Sequence, residues 1–128
     1  MFANSKAFNG FAVDDLWKAH QFYGETLGIK TTVVDDQNGL MTLHLSGGRD
    51  TLVYEKKDLK PGNYTILNLP VDDIDAAVDE LTKRGVQFER YDGFEQDEKG
   101  IARGGGPLLA WFTDPAGNIL SLVQDVEG

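Results

Sequence analysis

One segment of the chain occurs twice, and this duplication limits the possible folds more than any other feature of the sequence. Val13-Asp14-Asp15-Leu16 returns as Val71-Asp72-Asp73-Ile74, 58 residues further along (13 to 71). Each copy is followed by residues spaced i, i+3, i+4 and i+7, which is the spacing of one helix face. These residues are Leu16, Ala19, His20 and Tyr23 in the first copy, and Ile74, Ala77, Val78 and Leu81 in the second. The chain is therefore expected to contain two related modules.

Each predicted helix has signals at both of its ends. The aspartates at its start can accept hydrogen bonds from the free N–H groups of the first turn. Gly28 and Gly85 follow the periodic stretches and suit the left-handed conformation that ends many helices. Alternating segments predict strands at 8–13, 29–34, 40–45 and 51–55, and again at 64–71, 86–91, 108–113 and 118–124. Each half thus reads β-α-β-β-β, which predicts an α+β fold.

The modules are predicted to form a single domain of residues 1–128. The chain has 128 residues and 41% apolar residues, which suffices for one core. Pro61-Gly62 marks the boundary between module one, about residues 7–57, and module two, about residues 63–125. Residues 92–106 hold five glycines and are too long for a hairpin turn. They are interpreted as a flap over the open side of the sheet, with a plain loop as the alternative.

Composition excludes several classes of function. The chain has no Cys, which rules out disulfides, thiolate metal sites and thiol nucleophiles. A net charge of −9 with few basic residues argues against nucleic acid as a partner. No apolar run is long enough for a membrane helix, and the first ten residues do not form a signal peptide. A cytoplasmic protein without a membrane partner is therefore expected.

Two longer motifs carry a resemblance to a known family. The first is Val13-Asp14-Asp15-Leu16 followed by Phe22-Tyr23-Gly24-Glu25-Thr26-Leu27-Gly28, and the second is Trp111-Phe112-Thr113-Asp114-Pro115-Ala116-Gly117-Asn118. Together with the duplication, they resemble the vicinal-oxygen-chelate superfamily, which includes glyoxalases, bleomycin resistance proteins and dioxygenases. The resemblance runs from about Phe8 to Val123. It implies two βαβββ modules that form an open eight-stranded cup, and in many relatives a homodimer.

The resemblance also implies four inward positions that hold a divalent metal in the metalloenzymes of the family. They map onto Phe8, Val53, Ile66 and Ser121. The position of Val53 follows from aligning Asp50 with Asn118, and Glu55, two residues later, would lie on the same face of the strand as Val53. Three of these side chains have no lone pair, whereas such metals need imidazole or carboxylate ligands. A buried ion without ligands would be very costly. We therefore predict no metal, no cofactor and no catalytic residue.

A cup without metal ligands is expected to bind a small aromatic or hydrophobic molecule, such as an antibiotic or a metabolite. Such pockets are mainly apolar, with a few polar groups that orient the ligand. The apolar floor would be Phe8, Val53 and Ile66, next to the candidate stacking residues Tyr54, Phe94 and Trp111. The polar candidates are His44, Glu55, Asn68, Arg103 and Ser121. For His44, ligand contact and plain solvent exposure both remain open, while His20 is interpreted as a core or boundary residue.

Two other functions remain open. One is an enzyme of the same superfamily, a lyase, isomerase or dioxygenase. It would use either a metal site at other positions, or His44 or Glu55 as a general base without a metal. The other is a structural or regulatory dimer whose cup is filled by its own side chains.

Overall fold

The computed structural model of the protein describes residues 1–125. The chain divides into two compact units between Lys60 and Pro61, next to the Pro61-Gly62 pair that was expected to separate the modules. The last three residues of the predicted domain, 126–128, lie outside the described residues. Within residues 1–125, no helix has the length and apolarity needed to cross a membrane.

The first unit has the predicted β-α-β-β-β order. Its elements are β1 Asn9–Val13, α1 Leu16–Gln21, β2 Lys30–Asp35, β3 Leu40–Leu45 and β4 Arg49–Glu55, with a π-helical segment Phe22–Thr26 after α1. The sheet order is β1-β4-β3-β2, in which β1 runs parallel to β4 and the other pairs are antiparallel. Strand β2 is thus an edge strand.

The second unit repeats this architecture. Its elements are β5 Thr65–Pro70, α2 Ile74–Lys83, β6 Phe88–Glu89, β7 Leu108–Thr113 and β8 Ile119–Gln124. The sheet order is β5-β8-β7-β6, again with one parallel pair, β5 and β8. The predicted fold class, two βαβββ modules, is confirmed.

The predicted helix ends are confirmed in both units. The Asp15 carboxylate accepts hydrogen bonds from the N–H groups of Trp17 and Lys18, and Asp73 accepts one from Ala76, all at 3.1 Å. Gly28 and Gly85 follow the helical segments with φ of 73° and 93°, a conformation that costs glycine little. The first helix differs from the prediction because it changes to π-helical hydrogen bonding at Phe22, whose carbonyl accepts from Leu27 N–H at 2.9 Å.

One face of each sheet packs against its own helix, and we call it the helix face. In the first unit, the Phe11 ring lies 5.6 Å from the ring of Tyr23 in the helical segment, and Phe11 pairs with Val53 in the register. In the second unit, the side chain of Gln124 at the end of β8 accepts a hydrogen bond from Ile74 N–H at the start of α2. The opposite side of each sheet is called the open face.

Strand β6 is shorter than the predicted strand over residues 86–91. Past Glu89, the Gln96 side chain takes the place of a strand partner. Its Nε2 donates to the Glu89 carbonyl, and its Oε1 accepts from Tyr91 N–H, both at 2.9 Å. The local pairing is therefore with a glutamine side chain, which strand periodicity does not indicate.

The 92–106 loop is held by its own hydrogen bonds. Ala102 exchanges two backbone hydrogen bonds with Leu109 of β7, at 2.7 and 3.2 Å. The Asp97 carboxylate accepts from the N–H groups of Lys99 and Ile101, and Ile101 is fully buried. The loop therefore continues the edge of the second sheet instead of extending freely into solvent.

Candidate ligand-binding surface

A continuous row of side chains crosses the open face of the second sheet. Asn68, Ser121, Trp111 and Glu89 are neighbours in the register of β5, β8, β7 and β6. Register partners on one face lie about 5 Å apart at Cβ. The Ser121 hydroxyl donates a hydrogen bond to the Asn68 Oδ1 at 2.6 Å. The row therefore runs from an amide and a hydroxyl, through an indole, to a carboxylate.

Two further aromatic side chains contact Trp111 of this row, and we call Tyr91, Phe94 and Trp111 the aromatic cluster. The Trp111 ring centroid lies 5.5 Å from that of Tyr91 and 4.8 Å from that of Phe94. Such separations are typical of favourable aromatic pairs. Trp111 is 8% exposed, whereas Phe94, on the loop, is 54% exposed. The cluster thus has a buried base and an accessible outer ring.

A cavity of about 290 Å³ adjoins the outer ring of the cluster. Its lining is Gly93, Phe94, Glu95, Ala102, Gly104, Gly105, Pro107 and Leu109, so most of its wall belongs to the 92–106 loop. This volume lies at the lower end of the usual range for small-molecule pockets. Two larger grooves of the second unit, of about 700 and 460 Å³, are not lined by the cluster.

The Tyr91 phenol stays protonated around neutral pH. Burial raises the pKa of Tyr91 above its usual value, and the nearby charge of Glu89 acts in the same direction. A neutral phenol can donate a hydrogen bond. The cluster therefore combines aromatic surface with one donor that keeps its proton.

Ion pairs tie the loop to α2 on the other side of the sheet. The Arg103 guanidinium contacts Asp75 at 2.8 Å and Asp97 at 2.9 Å, while the Lys99 ammonium contacts Asp79 at 3.0 Å. The hydrogen bond from Arg103 is the main reason that the pKa of Asp75 lies below its usual value. The Arg103 guanidinium thus lies against two carboxylates, and its contact with a ligand stays a prediction.

Burial acts to raise the pKa of Asp97. Hydrogen bonds from Ile101 N–H, Arg103 and Lys99 N–H outweigh this effect, and the net pKa is lowered. Asp97 therefore remains a carboxylate that holds both the backbone of the loop and the Arg103 side chain.

The predicted orientation of Val53 is wrong. Val53 is fully buried on the helix face of β4, where it pairs with Phe11 and Met41. Because side chains alternate along a strand, its neighbour Leu52 takes the position on the open face. The alignment of Asp50 with Asn118 was out of register by one residue, and a one-residue slip reverses every side chain.

Glu55 has a structural contact that the sequence analysis did not predict. Its Oε2 accepts a hydrogen bond from Leu16 N–H at 2.8 Å, at the buried start of α1. The predicted orientation toward a cup is wrong for this residue as well. A carboxylate that satisfies a helix start is a poor candidate for a general base.

The other candidates of the first unit lie on its open face or next to it. Phe8 directly precedes β1 and is 71% exposed, and Tyr54 is an exposed residue of β4. His44 of β3 lies between two polar partners, Thr32 and Asp50. The expected side of the sheet for His44 is thus confirmed, while its contact with a ligand stays a prediction.

Ile66 occupies an irregular position in β5. The register with β8 shifts between Thr65 and Leu67, which makes Ile66 the extra residue of a bulge. Alternation had placed Ile66 on the same face as Asn68, but a bulge interrupts alternation. The face of Ile66 therefore does not follow from the pattern of its strand.

The side chains of both units do not fit the metal of the metalloenzymes. Among residues 1–125, no group of three or more His, Asp or Glu side chains is placed to hold an ion. In the first unit, Phe8 and Leu52 replace ligands. In the second unit, the Ser121 hydroxyl is engaged with Asn68. Phe8, Leu52 and Ser121 do not offer the imidazole nitrogen or carboxylate oxygen that such an ion requires.

Several residues of the site were not predicted from the sequence. Leu52 could have been found from the two helix caps. Glu55 and Gln124 accept equivalent hydrogen bonds at the starts of α1 and α2, so they are equivalent positions of β4 and β8. Counting back three residues from each gives Leu52 and Ser121 as the equivalent open-face positions. Glu89 of the row, and Thr32 and Asp50 beside His44, gave no recognisable signal. The reason is that the residues they contact lie on other strands, which a pattern within one segment does not indicate.

Comparison with known proteins agrees with this architecture. Residues 7–122 match the family model of the Glyoxalase/Bleomycin resistance protein/Dioxygenase superfamily. An antibiotic binding protein from a Streptomyces species has a similar structure, with a TM-score of 0.70 and 26% identity over 96% of this chain and 98% of that protein. A member of the superfamily from Sphaerobacter thermophilus gives a TM-score of 0.66 and 28% identity over 93% and 97%.

A more distant similarity supports the fold alone. A fosfomycin resistance protein from Listeria monocytogenes has a TM-score of 0.72 at 13% identity, over 96% of this chain and 92% of that protein. None of the curated proteins matches the chain significantly in sequence. The family match covers most of the residues, and the duplicated modules accord with it. The chain therefore belongs to the glyoxalase/bleomycin resistance protein/dioxygenase superfamily.

Proposed function

We propose that this protein binds a small, flat aromatic molecule, an antibiotic or a metabolite, at the aromatic cluster and does not convert it. The observation that carries the proposal is the half-exposed Phe94 ring, which lies beside a cavity of about 290 Å³ with its centroid 4.8 Å from that of buried Trp111, at an interplanar angle of 58°. A ligand ring that enters from the cavity meets the face or edge of Phe94 first. Aromatic pairs of this kind contribute about 0.5–1.5 kcal/mol beyond area burial.

Polar groups near the cluster can orient the ligand. The Ser121 hydroxyl occupies the Asn68 Oδ1, which leaves the Asn68 amide nitrogen as a donor at the exposed end of the row. The Tyr91 phenol is a second donor. A flat ligand with a carbonyl or hydroxyl oxygen suits this combination, because aromatic surface supplies affinity and a few polar groups supply orientation.

Two arguments favour binding over turnover. The side chains at the family's metal positions do not fit a metal. Glu55, one of the candidate general bases, instead accepts a hydrogen bond at the start of α1. In addition, the Streptomyces protein, at 26% identity, is an antibiotic binding protein. Sequestration of a ligand needs no reactive group, only a pocket.

Binding of two matched alcohols tests the proposal. 2-Naphthol is flat and aromatic, whereas decahydro-2-naphthol has the same carbon skeleton and hydroxyl but is saturated and puckered. Calorimetric titration of the whole protein is expected to give at least tenfold tighter binding of 2-naphthol. Equal affinities, or no binding of 2-naphthol, would contradict aromatic recognition.

A pair of variants locates the binding. Phe94→Ala removes the accessible ring and is expected to weaken 2-naphthol binding about three- to tenfold, which corresponds to one aromatic pair. Trp17→Phe changes an exposed aromatic of the first unit and is expected to leave the affinity unchanged. If Trp17→Phe weakens binding and Phe94→Ala does not, the aromatic cluster is not the site. Native mass spectrometry of protein from its own host would then identify the natural ligand.

We also propose that the protein is a cytoplasmic homodimer. The first unit exposes several large apolar side chains, among them Phe2 and Phe8. Exposed apolar groups of this size are typical of contact surfaces when they lie together. Sedimentation equilibrium is expected to give twice the mass of one chain, and Phe8→Ser is expected to shift the equilibrium toward the monomer. A monomer at high concentration would contradict the proposal.

A further inference from the structure

Three polar side chains form a relay on the open face of the first sheet. They come from adjacent strands: Thr32 from β2, His44 from β3 and Asp50 from β4. The Thr32 Oγ1 lies 2.8 Å from His44 Nε2, and His44 Nδ1 lies 3.1 Å from Asp50 Oδ1. None of the three belongs to the aromatic cluster or to the family's metal positions.

The hydrogen bonds fix the tautomer of the neutral imidazole. An ionised carboxylate can only accept, so His44 Nδ1 must carry the proton that it shares with Asp50. Nε2 of the neutral ring is then an acceptor, and the Thr32 hydroxyl donates to it. A carboxylate, an imidazole and a hydroxyl in this connectivity are the parts of a hydrolytic triad, which is recognised by geometry and not by sequence order.

A cation lies next to the relay. Lys30 pairs with His44 in the register of β2 and β3, and it lies two residues before Thr32 on the same strand face. Lys30 and Thr32 are both exposed, so a solute can reach them. An ammonium group carried on the same strand face as the hydroxyl can stabilise negative charge that develops on an acyl oxygen. The open face thus offers a nucleophile, a base, a positioning residue and a cation.

We propose that this relay is an acyl-transfer site at which Thr32 hydrolyses activated aryl esters. The Thr32 hydroxyl proton moves to His44 Nε2 while Oγ1 adds to the ester carbonyl carbon. The bond to the aryl oxygen then breaks, and the phenol leaves with the proton from Nε2. Water next adds to the acyl group as Nε2 takes its proton, and Nε2 returns a proton to Oγ1, which releases the acid. The overall reaction consumes one ester and one water.

The expected rate is modest because the site is open to solvent. The side chains of His44 and Asp50 are 33% and 58% exposed, so water weakens the electrostatic contribution of the relay. Thr32 also lies on an edge strand, not on the sharp turn that presents the nucleophile in many hydrolases. General base catalysis at the low end of its range corresponds to about a hundredfold acceleration.

The test uses the whole protein with p-nitrophenyl acetate. The expected result is a burst of p-nitrophenolate and an acetyl group on the peptide that contains Thr32, detected by mass spectrometry after acid quenching. Lysines also react with this ester, but an acetyl ester on Thr32 is cleaved by hydroxylamine, whereas an acetyl amide on lysine is not. Absence of a hydroxylamine-sensitive acetyl group on Thr32 would overturn the proposal.

Variants separate catalysis from a structural contribution to the edge strand. Thr32→Val and His44→Gln are expected to abolish the burst, with hydrolysis reduced about a hundredfold for His44→Gln. Thr32→Ser keeps the hydroxyl and is expected to retain the burst, which guards against misinterpretation if Thr32→Val is poorly folded. If Thr32→Val and Thr32→Ser hydrolyse the ester equally fast, the relay only holds β2 to the sheet, and the proposal fails.

Asp50 is a positioning residue, and its contribution has a spectroscopic readout. Nitrogen NMR of His44 is expected to show a protonated Nδ1 and a bare Nε2 in the neutral ring. Asp50→Ala is expected to shift this tautomer balance toward protonated Nε2 and to slow the burst together with it. A burst that is unchanged while the tautomer shifts would remove Asp50 from the site. The aromatic cluster does not enter this experiment, so its outcome is independent of 2-naphthol binding.

Discussion

The two units of this protein are alike on one face of the sheet and different on the other. On the helix face, a side chain at the end of the last strand caps the helix in both units: Glu55 accepts from Leu16 N–H at 2.8 Å, and Gln124 accepts from Ile74 N–H at 2.7 Å. On the open face, the first unit carries the polar relay and the second unit carries the aromatic cluster.

This difference separates the requirements of folding from those of function. Each module must satisfy the buried N–H groups at its helix start and must cover the apolar side of its sheet. The open face has no such requirement, so the two copies can carry different chemistry there. A duplicated module can therefore hold a hydrogen-bonding surface on one sheet and an aromatic one on the other without a change of architecture.

The largest effect is expected from a comparison of the two tryptophans. Trp111→Ala removes an 8% exposed indole at the base of the aromatic cluster, whereas Trp17→Ala removes one that is 56% exposed on α1. Removal of a buried large aromatic typically costs about 3–5 kcal/mol of unfolding free energy, and an exposed one costs well under 1 kcal/mol. Urea unfolding followed by circular dichroism measures both.

Similar losses of unfolding free energy in the two tryptophan variants would contradict the expected difference between the two units. They would mean that the exposed aromatic of the first unit contributes as much as the buried one of the second. Trp111→Phe sharpens the result, because it keeps a ring but removes the larger indole. It is expected to fall between wild type and Trp111→Ala.

A smaller effect is expected at the two helix caps. Glu55→Ala and Gln124→Ala each leave a helix-start N–H group without its acceptor, at the buried residues Leu16 and Ile74. An unsatisfied buried N–H costs about 1–3 kcal/mol, so the two variants are expected to lose similar stability. Glu55→Gln keeps an acceptor and is expected to lose a few tenths of a kcal/mol, from the weaker interaction with the helix dipole.

The outcome for Glu55→Gln decides whether the two caps are equivalent. If this variant loses as much as Glu55→Ala, the charge of Glu55 and not its hydrogen bond stabilises α1. The helix faces would then differ between the units, and the similarity proposed above would be limited to topology.

Much of the fold could be predicted from the sequence because local signals agreed with each other. Helix caps at Asp15 and Asp73, left-handed Gly28 and Gly85, and the duplication all indicated the same β-α-β-β-β order. Each of these signals depends on residues that are close together in the chain. The π-helical segment was missed because it depends on hydrogen bonding and not on a residue type.

The site could be predicted less well because it depends on register between strands. A slip of one residue moved Val53 and Glu55 to the wrong face, since side chains alternate with a period of two. The bulge at Ile66 interrupts alternation in β5, so the face of this residue could not be predicted from the pattern of its strand. The relay partners of His44 are 12 and 6 residues away, at Thr32 and Asp50, and only the pairing of β2, β3 and β4 brings them together.

The smallest effect is expected at the ion pairs that hold the 92–106 loop on α2. The pKa values of Asp75 and Asp97 are lowered, so their contribution is present above the ordinary carboxyl pKa of about 3.9 and is lost as the pH falls through the lowered values. The loop is expected to stay anchored from pH 7 down to about 4, and to loosen below that. NMR signals of Ile101 and Ala102 amides, followed against pH, measure the change.

A matched ion pair tests whether the loosening belongs to this network. Asp97→Asn keeps an oxygen for the N–H groups of Lys99 and Ile101 but cannot ionise, so it is expected to weaken the contact with Arg103 and to reduce the acid response. Arg84→Gln removes the exposed pair of Arg84, the residue after α2, with Glu80, a pair that does not involve the loop, and is expected to leave the response unchanged. Because exposed pairs are screened by salt, about 1 M NaCl is expected to loosen the wild-type loop in the same direction as acid. A salt-insensitive loop with an unchanged acid response in Asp97→Asn would show that backbone pairing of Ala102 with Leu109 alone holds the loop in place.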